Sequence, residues 1–215
     1  MRTKTIAIYL HHPNCSVQSV NGVMKAIGHN YRFKIFTKHP NDYNFYDDVD
    51  LICFPGGLGH SDSFDSIAFH HVNSVRDLVS RGRPYLGICM GAYWCDKHYF
   101  DILKDTRVVQ YIKQPHTCTR RPHAKAMPIC WEGERDHMFF YDGCTFTGGR
   151  YETVATYDIT QYPMAIIQKN IGMIGCHPES EAFWYSMYPS IKVPWHQGKH
   201  FLWLEHFVRK LWHSS

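Results

Sequence analysis

The chain has no stretch near the roughly 20 consecutive apolar residues that a membrane-spanning helix needs, so no membrane association is expected. Its first residues, Met1-Arg2-Thr3-Lys4-Thr5, lead straight into an apolar strand-like run. They show neither the apolar core nor the cleavage site of a secretory leader, which makes a cytoplasmic location the expectation. A Walker-type phosphate loop is missing: Gly56-Gly57-Leu58-Gly59 lacks the Lys-Ser/Thr that would complete one. The 23 basic and 19 acidic residues leave a formal charge of only +4, too mild to call for nucleic acid. The densest basic run, Arg120-Arg121-Pro122-His123-Ala124-Lys125, reads as a solvated loop surface. No repeat, low-complexity tract or linker interrupts the chain, so residues 1–215 read as one domain.

Cysteine pairs at CxxC spacing are also lacking, although the chain has 8 cysteines and 16 histidines. Only His11-His12 with Cys15, and His116, Cys118 and His123, form tight groups, and neither has paired zinc-ligand spacing. No metal and no cofactor is expected. Cys53 and Cys176 sit inside apolar runs as core fillers. A chain of 215 residues with 44% hydrophobic content can bury a core without disulfide staples.

What is present is strand–helix alternation. Thr5–Leu10, Tyr31–Thr37, Asp50–Phe54 and Tyr85–Ile88 read as strands. Ser16–Ile27, with Ser16 as N-cap and Gly28 after its end, and Phe64–Ser80, with Ile67, His71, Val75, Leu78 and Val79 on one face, read as helices. That alternation predicts an α/β fold: a flavodoxin-like doubly wound sheet, mostly parallel. The second half is β-rich and reads as antiparallel. Its candidate strands are Arg107–Ile112, Met138–Tyr141, Thr145–Thr147, Thr153–Tyr157, Met164–Gln168 and Gly172–Cys176. Hairpin-like turns are expected at Asp142-Gly143 and Lys169-Asn170. Gln114–Asp136, polar and proline-bearing, reads as irregular, either a rim loop over a site or a surface excursion. Lys199–Trp212 closes the chain as an amphipathic helix with Phe201, Leu204, Phe207, Val208 and Leu211 as its stripe.

Two segments carry chemistry. In Pro84-Tyr85-Leu86-Gly87-Ile88-Cys89-Met90-Gly91-Ala92-Tyr93 a short apolar run meets a cysteine with a glycine two residues away on either side. That is the pattern of a nucleophile elbow, a sharp strand-to-helix turn that exposes the nucleophile above a helix start, a position that favours a thiolate. In Ile171-Gly172-Met173-Ile174-Gly175-Cys176-His177-Pro178-Glu179-Ser180 a strand ends in His-Pro-Glu. In an extended segment His177 and Glu179 project to one side, so the carboxylate can hold one imidazole nitrogen while the other serves the Cys89 thiol.

With Phe54-Pro55-Gly56-Gly57, these segments resemble the class I glutamine amidotransferase-like superfamily. A nearer likeness is the amidotransferase-like domain at the N-terminus of some biotin–protein ligases. That likeness rests on Cys53–Gly57, Arg76-Asp77-Leu78-Val79, Tyr85–Tyr93, Phe140–Phe146 and His177-Pro178-Glu179. The resemblance implies Cys89, His177 and Glu179 as catalytic residues, backbone N–H groups of Gly57 and Met90 as an oxyanion hole, and a substrate pocket touching Gly56 and Tyr93. Glutamine-using members carry Gln four residues after the nucleophile; here that position is Tyr93. The substrate is then a small-molecule amide, with glutamine only its default identity.

Three functional classes follow. The first is an amidotransferase-like cysteine hydrolase that forms a thioester and supplies ammonia to a separate synthetase or ligase partner, since the chain has no phosphate loop of its own. The second is a stand-alone hydrolase of an amide, γ-glutamyl or peptide bond. The small intracellular peptidases of the superfamily place His directly after the nucleophile, where this chain has Met90. The third is a non-catalytic binding module, against which an intact Cys-His-Glu set argues.

Overall fold

The computed structural model describes residues 2–11, 15–38, 45–58 and 61–214. The first half runs β1 (Thr5–Tyr9), α1 (Val17–Ile27), β2 (Arg32–Phe36), β3 (Leu51–Phe54), α2 (Ser61–Ser80), β4 (Tyr85–Ile88) and α3 (Met90–Tyr93). The second runs β5 (Thr106–Gln110), β6 (Lys125–Trp131), β7 (Glu134–Phe140), β8 (Cys144–Gly148), β9 (Glu152–Tyr157), β10 (Pro163–Gln168), β11 (Ile171–Ile174), α4 (Ala182–Ser186) and α5 (Lys199–His213).

One sheet of nine strands, in the order β2-β1-β3-β4-β11-β10-β9-β6-β7, joins both halves. The pairings from β2 through β11 are parallel, and those from β11 to β7 are antiparallel. The parallel strands β1, β3, β4 and β11 are buried at every residue, as strands covered on both faces must be. At the edge, β2 is only partly buried and carries Arg32 and Lys34, charges that discourage further strand pairing. The sheet is thus the α/β, flavodoxin-like arrangement expected, with its antiparallel extension.

The helices cover it as their stripes require. Ser16 caps α1 by accepting from the Ser19 N–H. On α2, Ile67, His71, Val75 and Val79 are buried. On α5, Leu204, Phe207, Val208 and Leu211 are buried, and the absence of a side chain at Gly172 lets the Phe207 ring lie directly on β11. All eight cysteines are free thiols. No helix among the described residues is long and apolar enough to cross a membrane.

Three expectations need correction. The Gln114–Asp136 segment is not simply irregular, because it contains β6 and the start of β7. Pro128 lies within β6, paired across to His137, where its missing N–H would argue against a strand. Its carbonyl points the other way, accepting from the Asp158 N–H at 3.0 Å just past the end of β9. The absent donor therefore faces a strand end and breaks no rung with β7. Next, Asp142-Gly143 makes a turn, with Asp142 at φ +54, but not a hairpin: β8 leaves the large sheet and pairs with β5 in a separate two-stranded sheet. Lys169-Asn170 does close a hairpin, between β10 and β11. Finally, β11 stops at Ile174 rather than Cys176. The chain at Gly175 turns to β10, its N–H meeting the Met164 carbonyl at 2.7 Å, in a gap where a Cβ would stand 2.2 Å from the Cys144 carbonyl oxygen.

Candidate active site

Cys89 follows β4 directly, and its N–H continues the rung to β11 by bonding the Ile174 carbonyl at 2.8 Å. There the chain reverses. Cys89 has φ 48 and ψ −100, outside the allowed regions for a side-chain-bearing residue, at a cost of about 1–3 kcal/mol. The flanking glycines explain how the turn is held so tightly. A Cβ on Gly87 would lie 2.5 Å from the Gly91 carbonyl oxygen, and one on Gly91 only 1.8 Å from that of Phe54. The helix beneath is the single turn α3. A helix terminus so short is a poor source of positive potential, and the positive group near the sulfur is His177.

The Cys89 side chain is nearly buried, at 6% exposure. The His177 imidazole lines one cavity with it and interacts with its sulfur. His177 Nδ1 lies 2.8 Å from Glu179 Oε1, and the Glu179 side chain is fully buried. The extended His-Pro-Glu anticipated above is a turn, closed by the Ser180 N–H on the His177 carbonyl at 3.2 Å. Pro178, with its fixed φ, suits the second position of such a turn, and the turn brings the two side chains together. The backbone of His177 is pinned to β7, donating its N–H to the Phe139 carbonyl at 2.9 Å.

Burial alone would strip the proton from His177. The Glu179 carboxylate and the Cys89 sulfur reverse that and push its pKa up to about 10. The imidazole therefore keeps its proton at neutral pH.

Two residues that belong to no motif complete the geometry. The Ser19 hydroxyl donates to Glu179 Oε1 at 2.5 Å and accepts the Gly56 N–H at 2.8 Å. One turn further along α1, Gly22 allows the helix to touch the Glu179 backbone, since a Cβ there would stand 2.2 Å from its carbonyl oxygen. Ser19 and Glu179 are 160 residues apart, and only the packing of α1 under the loop unites them. Gly56 likewise has no room for a Cβ, which would meet His177 Cε1 at 2.6 Å.

Two cavities meet at Cys89, sharing Gly57, Leu58, Cys89 and Tyr141 as walls. The larger, about 710 Å³, is also lined by Met90, Tyr93, Arg107, Lys113 and Asp142. The Tyr93 hydroxyl is committed to the Asp142 carbonyl at 3.0 Å. The Asp142 carboxyl is raised by burial; one oxygen takes the Gln110 amide at 2.9 Å, and the other is buried with no hydrogen-bond partner among the described residues. Arg107 is held at 2.9 Å by Asp96. Neither the Gly57 nor the Met90 N–H bonds another described residue, and both residues line this cavity. The smaller cavity, about 330 Å³, contains His177 and is walled by aromatic residues.

Within the basic run Arg120–Lys125, two of the cations are spent on backbone. Arg120 reaches the Gln114 carbonyl at 2.7 Å, and Lys125 the Cys118 carbonyl at 3.2 Å. Among the described residues no group of three His, Cys, Asp or Glu side chains is gathered as for a metal; His12 and Gly59 lie outside them.

Comparison with known proteins gives this geometry a family. The fold is that of a glutamine amidotransferase from Thermotoga maritima, with a TM-score of 0.66 and 12% identity over 98% of this chain and 97% of that one. It is also similar to PurLQS from the same organism (TM-score 0.65, 14% identity, 97% and 100% covered). A third likeness is to a glutamine amidotransferase from Methylobacillus flagellatus (0.61, 12%, 99% and 93%). No curated protein matches the sequence. Residues 15–183, which include both the Cys89 turn and the His177–Glu179 loop, match the glutamine amidotransferase class-I family, and the chain belongs to that family.

Proposed function

We propose that Cys89, His177 and Glu179 act as a catalytic triad that cleaves a carboxamide through a thioester on Cys89. The supporting observation is the placement of one buried imidazole between a carboxylate on its Nδ1 and the sulfur of a strained strand-to-helix turn. The His177 imidazole already carries its proton, and the Cys89 sulfur attacks the amide carbon. The Met90 and Gly57 N–H groups stabilise the oxyanion, a contribution of about 3 kcal/mol for each such donor. Collapse of the tetrahedral adduct breaks the C–N bond while the His177 proton moves to the departing nitrogen. Water then attacks the thioester, giving its proton to His177, and the acid leaves as the thiol re-forms. Glu179 fixes the imidazole tautomer and balances its charge, and Ser19 holds Glu179. The larger cavity, lined by Tyr93, takes the acyl part of the amide, and Gly56 lines the smaller one.

A second reading, delivery of ammonia to a separate synthetase, is favoured by the likeness to PurLQS and by the exposed apolar side chains Leu58, Tyr141 and Met187 at the mouth of the site. The finer kinship, with the N-terminal domain of biotin–protein ligases, is supported by Tyr93 and by the motifs Cys53–Gly57 and Phe140–Phe146. A thiol nucleophile is kept reduced in a reducing compartment, which supports the cytoplasmic reading.

The test is covalent labelling with a glutamine-analogue electrophile, followed by intact mass. One adduct on the wild-type chain and none on Cys89→Ala is the expected result. Equal labelling of both chains removes the nucleophile.

A further inference from the structure

We infer that the smaller cavity at Cys89 is an amine subsite, and that the amide cleaved is a secondary one whose nitrogen carries an apolar, preferably aromatic, group. This rests on the thioester reading above and specifies its substrate class.

The argument begins with position. Both cavities open on the Cys89 sulfur, but only the smaller one is lined by His177. In amide cleavage the leaving nitrogen must receive the imidazole proton. It therefore departs on the side where His177 lies, into the smaller cavity, while the acyl chain occupies the larger.

Size comes next. Ammonia is about as large as water, whose share of liquid volume is about 30 Å³. A space of about 330 Å³ is an order of magnitude more than ammonia needs. A substituted amine would fill it.

Chemistry gives the class. The wall of the smaller cavity carries Phe139, Tyr141, Trp184, Met187 and Tyr188, and among its described lining residues His177 is the only titratable cation. Phe139 packs edge-on to Trp184 at 5.0 Å between centroids and lies 6.0 Å from Tyr188, with the His177 ring 5.4 Å from Trp184. No acid is present among its described lining residues to hold a second ammonium, so a dibasic amine is disfavoured. The larger cavity differs in its charges: Asp96, Arg107, Lys113 and Asp142 stand among its apolar walls. The acyl side of the scissile bond thus meets charged groups of both signs, while the amine side meets aromatic ones.

The same geometry works in reverse. An amine seated in the subsite attacks the thioester carbon, a C–N bond forms, the C–S bond breaks, and His177 relays the amine proton to the departing sulfur. This allows a test that needs no knowledge of the acyl group. The whole chain is acylated with p-nitrophenyl acetate, and release of p-nitrophenol and intact mass report acetyl-Cys89. The acyl-enzyme is then offered water with benzylamine, methylamine or ammonia, and the acetamides are quantified. Free acetyl-thioester of N-acetylcysteine corrects for intrinsic nucleophilicity.

The expected result is a saturable preference for benzylamine over ammonia of about tenfold or more, the scale that burial of one phenyl group provides. Tyr188→Ala and, independently, Met187→Ser reduce that ratio, which is read within each variant and so does not depend on its acylation rate. A corrected ratio near one, or a linear dependence on benzylamine, overturns the subsite while leaving the thioester reading intact. Absence of acetyl-Cys89, with label elsewhere or nowhere, overturns both.

Discussion

The Ser19 hydroxyl donates to Glu179 Oε1 over 2.5 Å, and that same oxygen lies 2.8 Å from His177 Nδ1. A helix residue thereby holds the carboxylate that holds the imidazole. A hydrogen bond to a charged group contributes about 1.5–3 kcal/mol. Ser19→Ala should slow acylation of Cys89 by about tenfold with little change in apparent substrate affinity. The check is single-turnover acylation beside a thermal melt. An unchanged rate in a folded variant would reduce Ser19 to a packing residue.

Gly22 makes a sharper claim on the same contact. Replacing an ordinary helical glycine by alanine gains about 1 kcal/mol of helix propensity. Here the added methyl would press against the Glu179 carbonyl at 2.2 Å, and overpacking costs about 1–3 kcal/mol. Gly22→Ala should lower the melting temperature and impair acylation together. A stabilised, fully active variant would contradict the packing described.

Thiol reactivity separates Cys89 from the rest. Cys15 is pushed up to about 12 by burial, and Cys53, Cys95, Cys144 and Cys176 are likewise raised by burial, which leaves them inert at neutral pH. Cys89 opens on two cavities beside a protonated His177. Iodoacetamide at neutral pH should modify Cys89 first, ahead of the partly exposed Cys118 and Cys130. Peptide mapping that places Cys89 among the slowest would remove it as the nucleophile.

Two buried histidines give opposite pH signatures. His177 is raised to about 10 in the folded protein, so the stability it contributes is complete below about pH 6.5 and is lost as pH rises through about 10. His200 is lowered to about 3, first by burial and next by the neighbouring His196. Its unfolded form takes up a proton near pH 6.5 that the folded form refuses. Stability tied to His200 is therefore complete above that pH and falls as acid is added towards pH 3, by about 1.4 kcal/mol per pH unit at most. Denaturant titrations at several pH values should show the acid slope in wild type and a weaker one in His200→Phe, a ring that can still stack on Trp203. The alkaline slope should weaken in His177→Gln. Identical slopes in wild type and variant would disprove the assignment.

Much of this molecule is legible in its sequence because short-range rules govern it. Gly87 and Gly91 announce a turn that only glycine permits, Ser16 announces a helix start, and the apolar runs of β1, β3 and β4 announce buried parallel strands. What escaped is long-range. Pro128 hides a strand because only the end of β9 makes its missing N–H harmless. Ser19 and Gly22 look like ordinary helix residues until α1 is laid against the His177–Glu179 turn. Asp142 reads as a turn residue, and only the crossing of β8 to β5 turns its carboxyl toward the cavity beside Tyr93. Even the His-Pro-Glu pair reads as an extended segment, whereas the Ser180 N–H on the His177 carbonyl makes it a turn.

Tyr93 decides whether glutamine fits. Its ring lines the larger cavity, and its hydroxyl is committed to the Asp142 carbonyl at 3.0 Å. At a position where an amide side chain would offer both a donor and an acceptor, the phenol has a single donor, already spent on Asp142. Free glutamine should therefore be hydrolysed weakly or not at all by the isolated chain. Tyr93→Gln removes the ring and restores an amide, and glutamine hydrolysis should rise by about five- to tenfold, the yield of one hydrogen bond. Tyr93→Phe tells the two contributions apart. It keeps the bulk and frees the Asp142 carbonyl, so it should leave glutamine turnover as low as in wild type. If Tyr93→Phe rises as much as Tyr93→Gln, the hydroxyl bond rather than the ring is the obstacle. Brisk glutamine turnover by the unmodified chain would mean that Tyr93 blocks nothing, and that the larger cavity already accepts the family's usual donor.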